Sequence, residues 1–182
     1  MLAREPSIRL YGTVDDGLLV RFLEQLRHVR GQREPVVLEL STSGGDADVA
    51  RRIAEEIRLC RELGGMDLYF VGKAMVYSAG VMIMAAFPVQ KRYLSRDTVL
   101  LVHAWQIEKD IHFSGPLRVC VSGAQDFLAE LEIARQMELQ TFTDLLKGTR
   151  LSLQKLTEQL VRADWYLLAQ EAAQLELVAG LL

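Results

Sequence analysis

The chain has 182 residues, enough for one domain with a sizeable core and too few for two full ones. Half of its residues are hydrophobic, a quarter are charged, and the formal net charge is -3. Bulk charge therefore leaves no footprint for nucleic acid or an anionic membrane. Cys60 and Cys120 sit in apolar patterns with no metal-type spacing, which reads as two reduced thiols. The opening Met1-Leu2-Ala3-Arg4-Glu5-Pro6 lacks the apolar stretch of a signal peptide. The longest apolar stretch, Val76 to Val89, is too short to span a bilayer and is interrupted by Ser78 and Gly80. A soluble, cytoplasmic protein is the expectation.

Strand and helix signals then alternate. Ser7 to Tyr11 alternates apolar and polar residues and ends at Gly12, predicting a strand. Asp15-Asp16 starts a helix with Leu18, Leu19, Phe22, Leu23 and Leu26 on one face. Pro35 to Leu40 is a β-rich run closed by Ser41-Thr42-Ser43-Gly44-Gly45. A helix follows from Asp46 to about Leu63, where Val49, Ile53, Ile57 and Cys60 form an apolar stripe and Arg51, Arg52, Glu55, Glu56 and Arg58 face away. Asp67 to Val71 is the next strand, and Ser78 to Phe87, apolar all round, is a buried helix. Thr98 to Val102 is an apolar strand with His103 at its end. A long amphipathic helix is expected from Ser122 to about Leu146, a short helix capped by Ser152, and a last helix from about Ala169 to Leu175. The alternation argues for an α/β domain with parallel pairings.

Four places in this order could carry chemistry. Gly44-Gly45 joins a strand to a helix, where glycine permits positive φ and close backbone approach; a plain tight turn is the simpler account. No Gly-Lys-Ser/Thr follows, which argues against a phosphate loop. Ser78 begins a buried helix with a small residue and a glycine after it; the local sequence alone favours a helix N-cap. His103 ends an apolar strand, where a structural hydrogen bond is the alternative. His28 and His112 have no obvious partners. Asp164 precedes Trp165-Tyr166 and the last helix, where it could merely cap a turn.

In combination these residues resemble the Clp protease proteolytic subunit family, within the wider Clp/crotonase fold. The strand–Gly-Gly–helix element of that family is matched by Leu38 to Gly45. Its nucleophile motif is matched by Ser78-Ala79-Gly80, and its strand-end histidine by His103 after Val99 to Val102. The separation of 25 residues from Ser78 to His103 is similar to the family spacing. The family's late aspartate is matched by Asp164, before Tyr166 and Ala169-Gln170-Glu171-Ala172. The resemblance runs from about Ile8 to Leu182.

It implies an α/β, Clp/crotonase-like fold of repeated β-β-α units with a protruding long helix. Residues 1–182 then form one domain, with about 104–146 as an insertion and handle-type helix. It also implies a serine endopeptidase with Ser78 as nucleophile, His103 as base and Asp164 as its partner. The backbone N–H groups of Gly45 and Ala79 would form the oxyanion hole. No metal or cofactor is required by this chemistry. The partners implied are a peptide or unfolded protein substrate and further copies of the chain.

Departures from the family pattern set further expectations. The usual Asn-Ser-Pro-Gly-Gly is Ser41-Thr42-Ser43-Gly44-Gly45 here, without the proline. The segment after His103 is Ala104-Trp105-Gln106-Ile107-Glu108-Lys109 in place of Gln-Pro and glycines. The first strand begins by about Ser7, leaving little chain for the axial loops that contact a Clp-type ATPase, so tight coupling to such an ATPase is not expected. Three alternatives stay open: an inactive structural ring subunit, a crotonase-type acyl-CoA enzyme, and a Ser–Lys dyad using Lys73.

Overall fold

A computed structural model describes residues 5–32 and 34–182. The opening residues Met1–Arg4, part of the segment read above as no signal peptide, lie outside the described residues. Strands β1 (Ile8–Tyr11), β2 (Val36–Thr42) and β3 (Leu68–Tyr77) alternate with helices α1 (Asp16–Val29) and α2 (Ala47–Glu62). Helix α3 (Ala79–Ala85) follows β3 directly, then β4 (Arg92–Leu94) and β5 (Val99–Val102). The long α4 (Leu117–Leu146) precedes α5 (Leu153–Arg162), β6 (Trp165–Leu168), α6 (Ala169–Gln174) and β7 (Gly180–Leu181). The pattern is the mixed α/β arrangement expected of the Clp/crotonase-like fold.

Local chemistry accounts for the helix starts. Asp15 Oδ1 accepts from Leu18 N at 2.8 Å. Asp46 Oδ1 accepts from Asp48 N at 2.7 Å and Val49 N at 3.0 Å. Ser152 Oγ accepts from Lys155 N at 3.2 Å. Each satisfies amides that the first turn of a helix leaves unpaired. Of the expected stripe of α2, Ile53, Ile57 and Cys60 are buried, together with Ala50 and Ala54, while Val49 is half-buried; every residue of α3 is buried.

The seven-stranded sheet runs β1-β2-β3-β4-β7 with parallel pairings along that path, and β5 joins it through β3 and then β6. Strand β3 is used twice along one edge. Its first half, Phe70–Gly72, pairs with β4, and its second half, Met75–Tyr77, pairs with β5. The switch occurs at a bulge: Leu40 pairs with Gly72, but Thr42 pairs with Val76. Two extra residues are thereby looped out of β3, and Ala74 takes φ 58°. At Gly72 a Cβ would lie 2.6 Å from Leu94 Cδ2 and 2.8 Å from Val76 Cγ2, so any other residue would force those buried side chains to shift.

The sequence places the third strand at Asp67 to Val71, short of its true end. The bulge hides the continuation, because Gly72 and Lys73 break the alternation that marks a strand. The short strands β4, β6 and β7 leave no such signal either, being two to four residues each. Helix α4 begins at Leu117, ahead of the expected Ser122. Only Phe142, Leu145 and Leu146 at its C-terminal end are buried, and Leu117, Val119, Val121, Leu128 and Ile133 are exposed.

Beside the buried Phe142, Leu145 and Leu146, a polar anchor ties the end of α4 to the core: Arg92, which is 1 % exposed. Its Nε donates to Phe87 O at 2.7 Å, its Nη1 to Leu145 O at 2.7 Å and Leu177 O at 3.4 Å, and its Nη2 to Asp144 O at 3.1 Å and Ala85 O at 3.3 Å. These carbonyls lie at the C-terminal ends of α3 and α4 and in the turn before β7, where helices leave carbonyls unpaired and carry partial negative charge. Burial pushes the Arg92 guanidinium down to about 10, so it remains charged at neutral pH. Replacing it with methionine strands five buried acceptors. Arg92→Met should lower the unfolding free energy by about 3–5 kcal/mol, and Arg92→Lys should recover only part, because one ammonium cannot span the set. Urea unfolding checks this; an unchanged midpoint in Arg92→Met would refute the account.

Candidate active site

Strand β3 delivers Ser78 to the end of the sheet. Ser78 N donates to Leu101 O at 2.9 Å, which continues the β3–β5 pairing of Tyr77 with Leu101. Ser78 then takes φ 52° and ψ -114°, a strained backbone for a residue with a side chain. The turn throws the chain from strand into helix within one residue. Ser78 makes no side-chain cap bond to α3, so the N-cap account does not describe its hydroxyl.

The hydroxyl instead meets His103. Ser78 Oγ lies 2.7 Å from His103 Nε2, and His103 Nδ1 lies 2.6 Å from Ala104 O. A carbonyl oxygen only accepts, so Nδ1 carries a proton. In the neutral ring Nε2 is then bare and accepts from the serine hydroxyl. This is the tautomer that a general base for Ser78 requires.

The Gly44–Gly45 segment is pressed against the same turn. A Cβ on Gly44, at φ 102°, would lie 2.8 Å from Ser78 Cβ. A Cβ on Gly45, at φ 145°, would lie 2.4 Å from Val14 O. Val14 N donates to Gly44 O at 2.9 Å and Asp46 N donates to Val14 O at 2.8 Å, which fixes Gly45 between them. Gly80 completes the packing, since a Cβ there would lie 2.4 Å from Thr42 Cγ2. Among the described residues the Gly45 and Ala79 N–H groups find no acceptor. Both residues line a groove of about 760 Å³ with Ser78 and His103, walled by Met82, Trp105, Met137 and Phe142. The volume is in the range of ligand-binding clefts.

Asp164 stands apart from this pair. It is exposed and makes no hydrogen bond or ion pair with any described residue. The antiparallel β5–β6 register pairs Val102 with Trp165, which places the Asp164 backbone one step on, level with His103. The structure thus joins Ser78 to His103 and gives Nδ1 to a backbone carbonyl.

Lys73 is held elsewhere. Its Nζ lies 2.5 Å from Glu39 Oε2, and Tyr11 Oη donates to Glu39 Oε1 at 2.6 Å. Burial pushes the Glu39 carboxyl up, but Lys73 and Tyr11 outweigh it and hold it below the usual range. Ser78 Oγ has His103 as its hydrogen-bond partner, and Lys73 has Glu39.

Sequence reasoning missed two contacts here. Ala104 reads as the start of a divergent loop, yet its carbonyl holds the imidazole. Trp105 N donates to Glu138 Oε1 at 2.6 Å, across 33 residues of chain. Neither has a local signal, because one is a backbone atom and the other one of five acidic residues along a largely exposed helix.

Comparison with known proteins agrees with the architecture. No curated protein sequence matches the chain. The solved structure of a point mutant of ClpP1 from Listeria monocytogenes superposes with a TM-score of 0.71 at 18% sequence identity, covering 96% of this chain and 90% of that one. At that identity the likeness is one of fold. The sequence model of the family described as Clp protease matches residues 1–182. With its whole length matched, the chain belongs to the Clp protease family.

Proposed function

We propose that the protein is a serine endopeptidase that cleaves peptides or unfolded proteins through an acyl-enzyme on Ser78. The observation that carries this reading is the 2.7 Å contact between Ser78 Oγ and a His103 Nε2 left bare by its Nδ1–H bond. Ser78 Oγ attacks the scissile carbonyl carbon as its proton passes to Nε2, and the carbonyl electron pair moves onto oxygen. The free N–H groups of Gly45 and Ala79 receive that oxygen. Collapse breaks the C–N bond, and the amine leaves with the proton from Nε2. Water then repeats the sequence on the acyl-serine and releases the acid.

Asp164 is the third member of the proposed set, lending negative charge to the imidazolium from the facing strand. With Nδ1 bonded to Ala104 O, its effect should be smaller than the roughly 10⁴-fold of a directly bonded aspartate. The exposed residues Leu117, Val121 and Leu128 share one face of α4, which supports assembly of several copies of the chain. Work in the cytoplasm, without a tightly coupled Clp-type ATPase, belongs to the same proposal.

A fluorophosphonate probe should label Ser78 at neutral pH. Ser78→Ala should abolish labelling and peptide hydrolysis, and His103→Ala should lower hydrolysis by about 100-fold or more. A wild-type protein that takes no label would leave the inactive ring subunit as the better reading. Lys73→Ala should keep its labelling; loss of it in a folded variant would favour the Ser–Lys dyad. Double substitution of Val121 and Leu128 by glutamate should reduce the molecular mass seen by analytical ultracentrifugation. The same mass before and after would remove α4 from the interface.

A further inference from the structure

We infer that Glu138 is a positioning residue for His103, acting through the Ala104–Trp105 peptide group. The inference deepens the serine-peptidase reading above and rests on it. The oxygen that holds His103 Nδ1 at 2.6 Å belongs to Ala104, and the N–H that donates to Glu138 Oε1 at 2.6 Å belongs to Trp105. These are the two ends of one planar amide. Four groups therefore stand in series: Ser78 hydroxyl, His103 imidazole, the peptide, and the Glu138 carboxylate.

Two physical effects follow from that series. A carboxylate accepting from an amide N–H draws the proton toward itself and shifts electron density onto the carbonyl oxygen of the same amide. Hydrogen bonds in such chains strengthen one another by about 10–30 % each. The Ala104 oxygen thus becomes a better acceptor when the ring takes up the serine proton and turns cationic. The carboxylate also places a full negative charge on the imidazolium side of the reaction, where a partly buried setting weakens solvent screening.

The surroundings keep the peptide from swinging away. Trp105 packs against the hydrophobic core, so its backbone cannot rotate without moving the indole. Glu138 lies just before the point where α4 returns to the core at Phe142 and Leu145. No other side-chain hydrogen bond or ion pair of Glu138 exists among the described residues, so its carboxylate is committed to this amide. The contact also explains how His103 is oriented without a bond from Asp164.

Glu138→Gln tests the idea, because glutamine keeps a carbonyl acceptor of the same reach and removes the charge. With a short fluorogenic peptide, kcat should fall by about three- to tenfold while KM stays within about twofold, the signature of an interaction that matters in the transition state. In proton NMR, the downfield Nδ1–H resonance of His103, assigned by its loss in His103→Gln, should move upfield in Glu138→Gln. Glu138→Ala should show both changes at least as strongly, with circular dichroism confirming an intact fold. A residue that merely pins the loop predicts full kcat in Glu138→Gln and an unmoved resonance, and that pair of results would overturn the inference. If wild-type protein neither labels at Ser78 nor hydrolyses peptide, the peptidase reading fails. The resonance then still decides whether Glu138 acts on the imidazole.

Discussion

Everything at the site depends on how closely two stretches of backbone can approach. The turn at Ser78 and the strand end at Gly44–Gly45 share a space with no room for another carbon, since a Cβ on Gly44 would sit 2.8 Å from that of Ser78. On the far side, Gly45 is stitched to Val14 through the bonds of Gly44 and Asp46. The glycine pair is thus a wedge with β1–α1 on one side and the serine turn on the other. Ser78 holds positive φ at a cost on the order of 1–3 kcal/mol, and the pairing of β3 with β5, the packing of α3 and the wedge together over-determine that conformation. The same wedge brings Gly45 to the groove, so the element that supports the serine also supplies a donor beside it.

Arg92 does for the back of the domain what the glycine pair does for the front. Helix α3 starts at the serine and ends at the Arg92 guanidinium, which also gathers the last carbonyls of α4. Because α4 carries Glu138 and walls the groove, the buried cation helps seat that wall, together with the core packing of Phe142, Leu145 and Leu146. Burial of a lone arginine would be costly, but here five carbonyl acceptors replace the water it gives up. The bulge in β3 is the third fixed point: it lets one strand serve β4 and then β5, and so delivers His103 beside Ser78.

The legible parts of the chain are those whose meaning is carried by neighbours in sequence. The stripe Ile53–Ile57–Cys60, the caps at Asp15, Asp46 and Ser152, and the Gly44-Gly45 junction each follow from short-range chemistry. The pairing of Ser78 with His103 emerges only through order and spacing, because neither residue differs locally from a cap or a structural histidine. Arg92 is invisible in the sequence, since its partners are backbone carbonyls up to 85 residues away. The continuation of β3 is hidden by the very residues, Gly72 to Ala74, that make the bulge. Glu138 is hidden for a different reason: it contacts a main-chain N–H, and a main-chain partner leaves no trace in side-chain patterns.

That last case bears on how the proposed base, His103, is held. An aspartate orients the ring by its side chain, so its position is read directly from the sequence. A peptide carbonyl does the same geometric task with any side chain attached, so the sequence is free to vary at Ala104. A neutral carbonyl alone offers less to a cation than a carboxylate does. Backing the amide with Glu138 restores a full negative charge to the series without bringing it into contact with the ring. Asp164, level with His103 across the β5–β6 edge and without a hydrogen bond to any described residue, would act on the ring only through space if it takes part as proposed. On the proposed reading, the Glu138 charge reaches the ring through the amide it backs, which would make the seating of α4, by Arg92 and the core residues, part of the chemistry as well as of the fold.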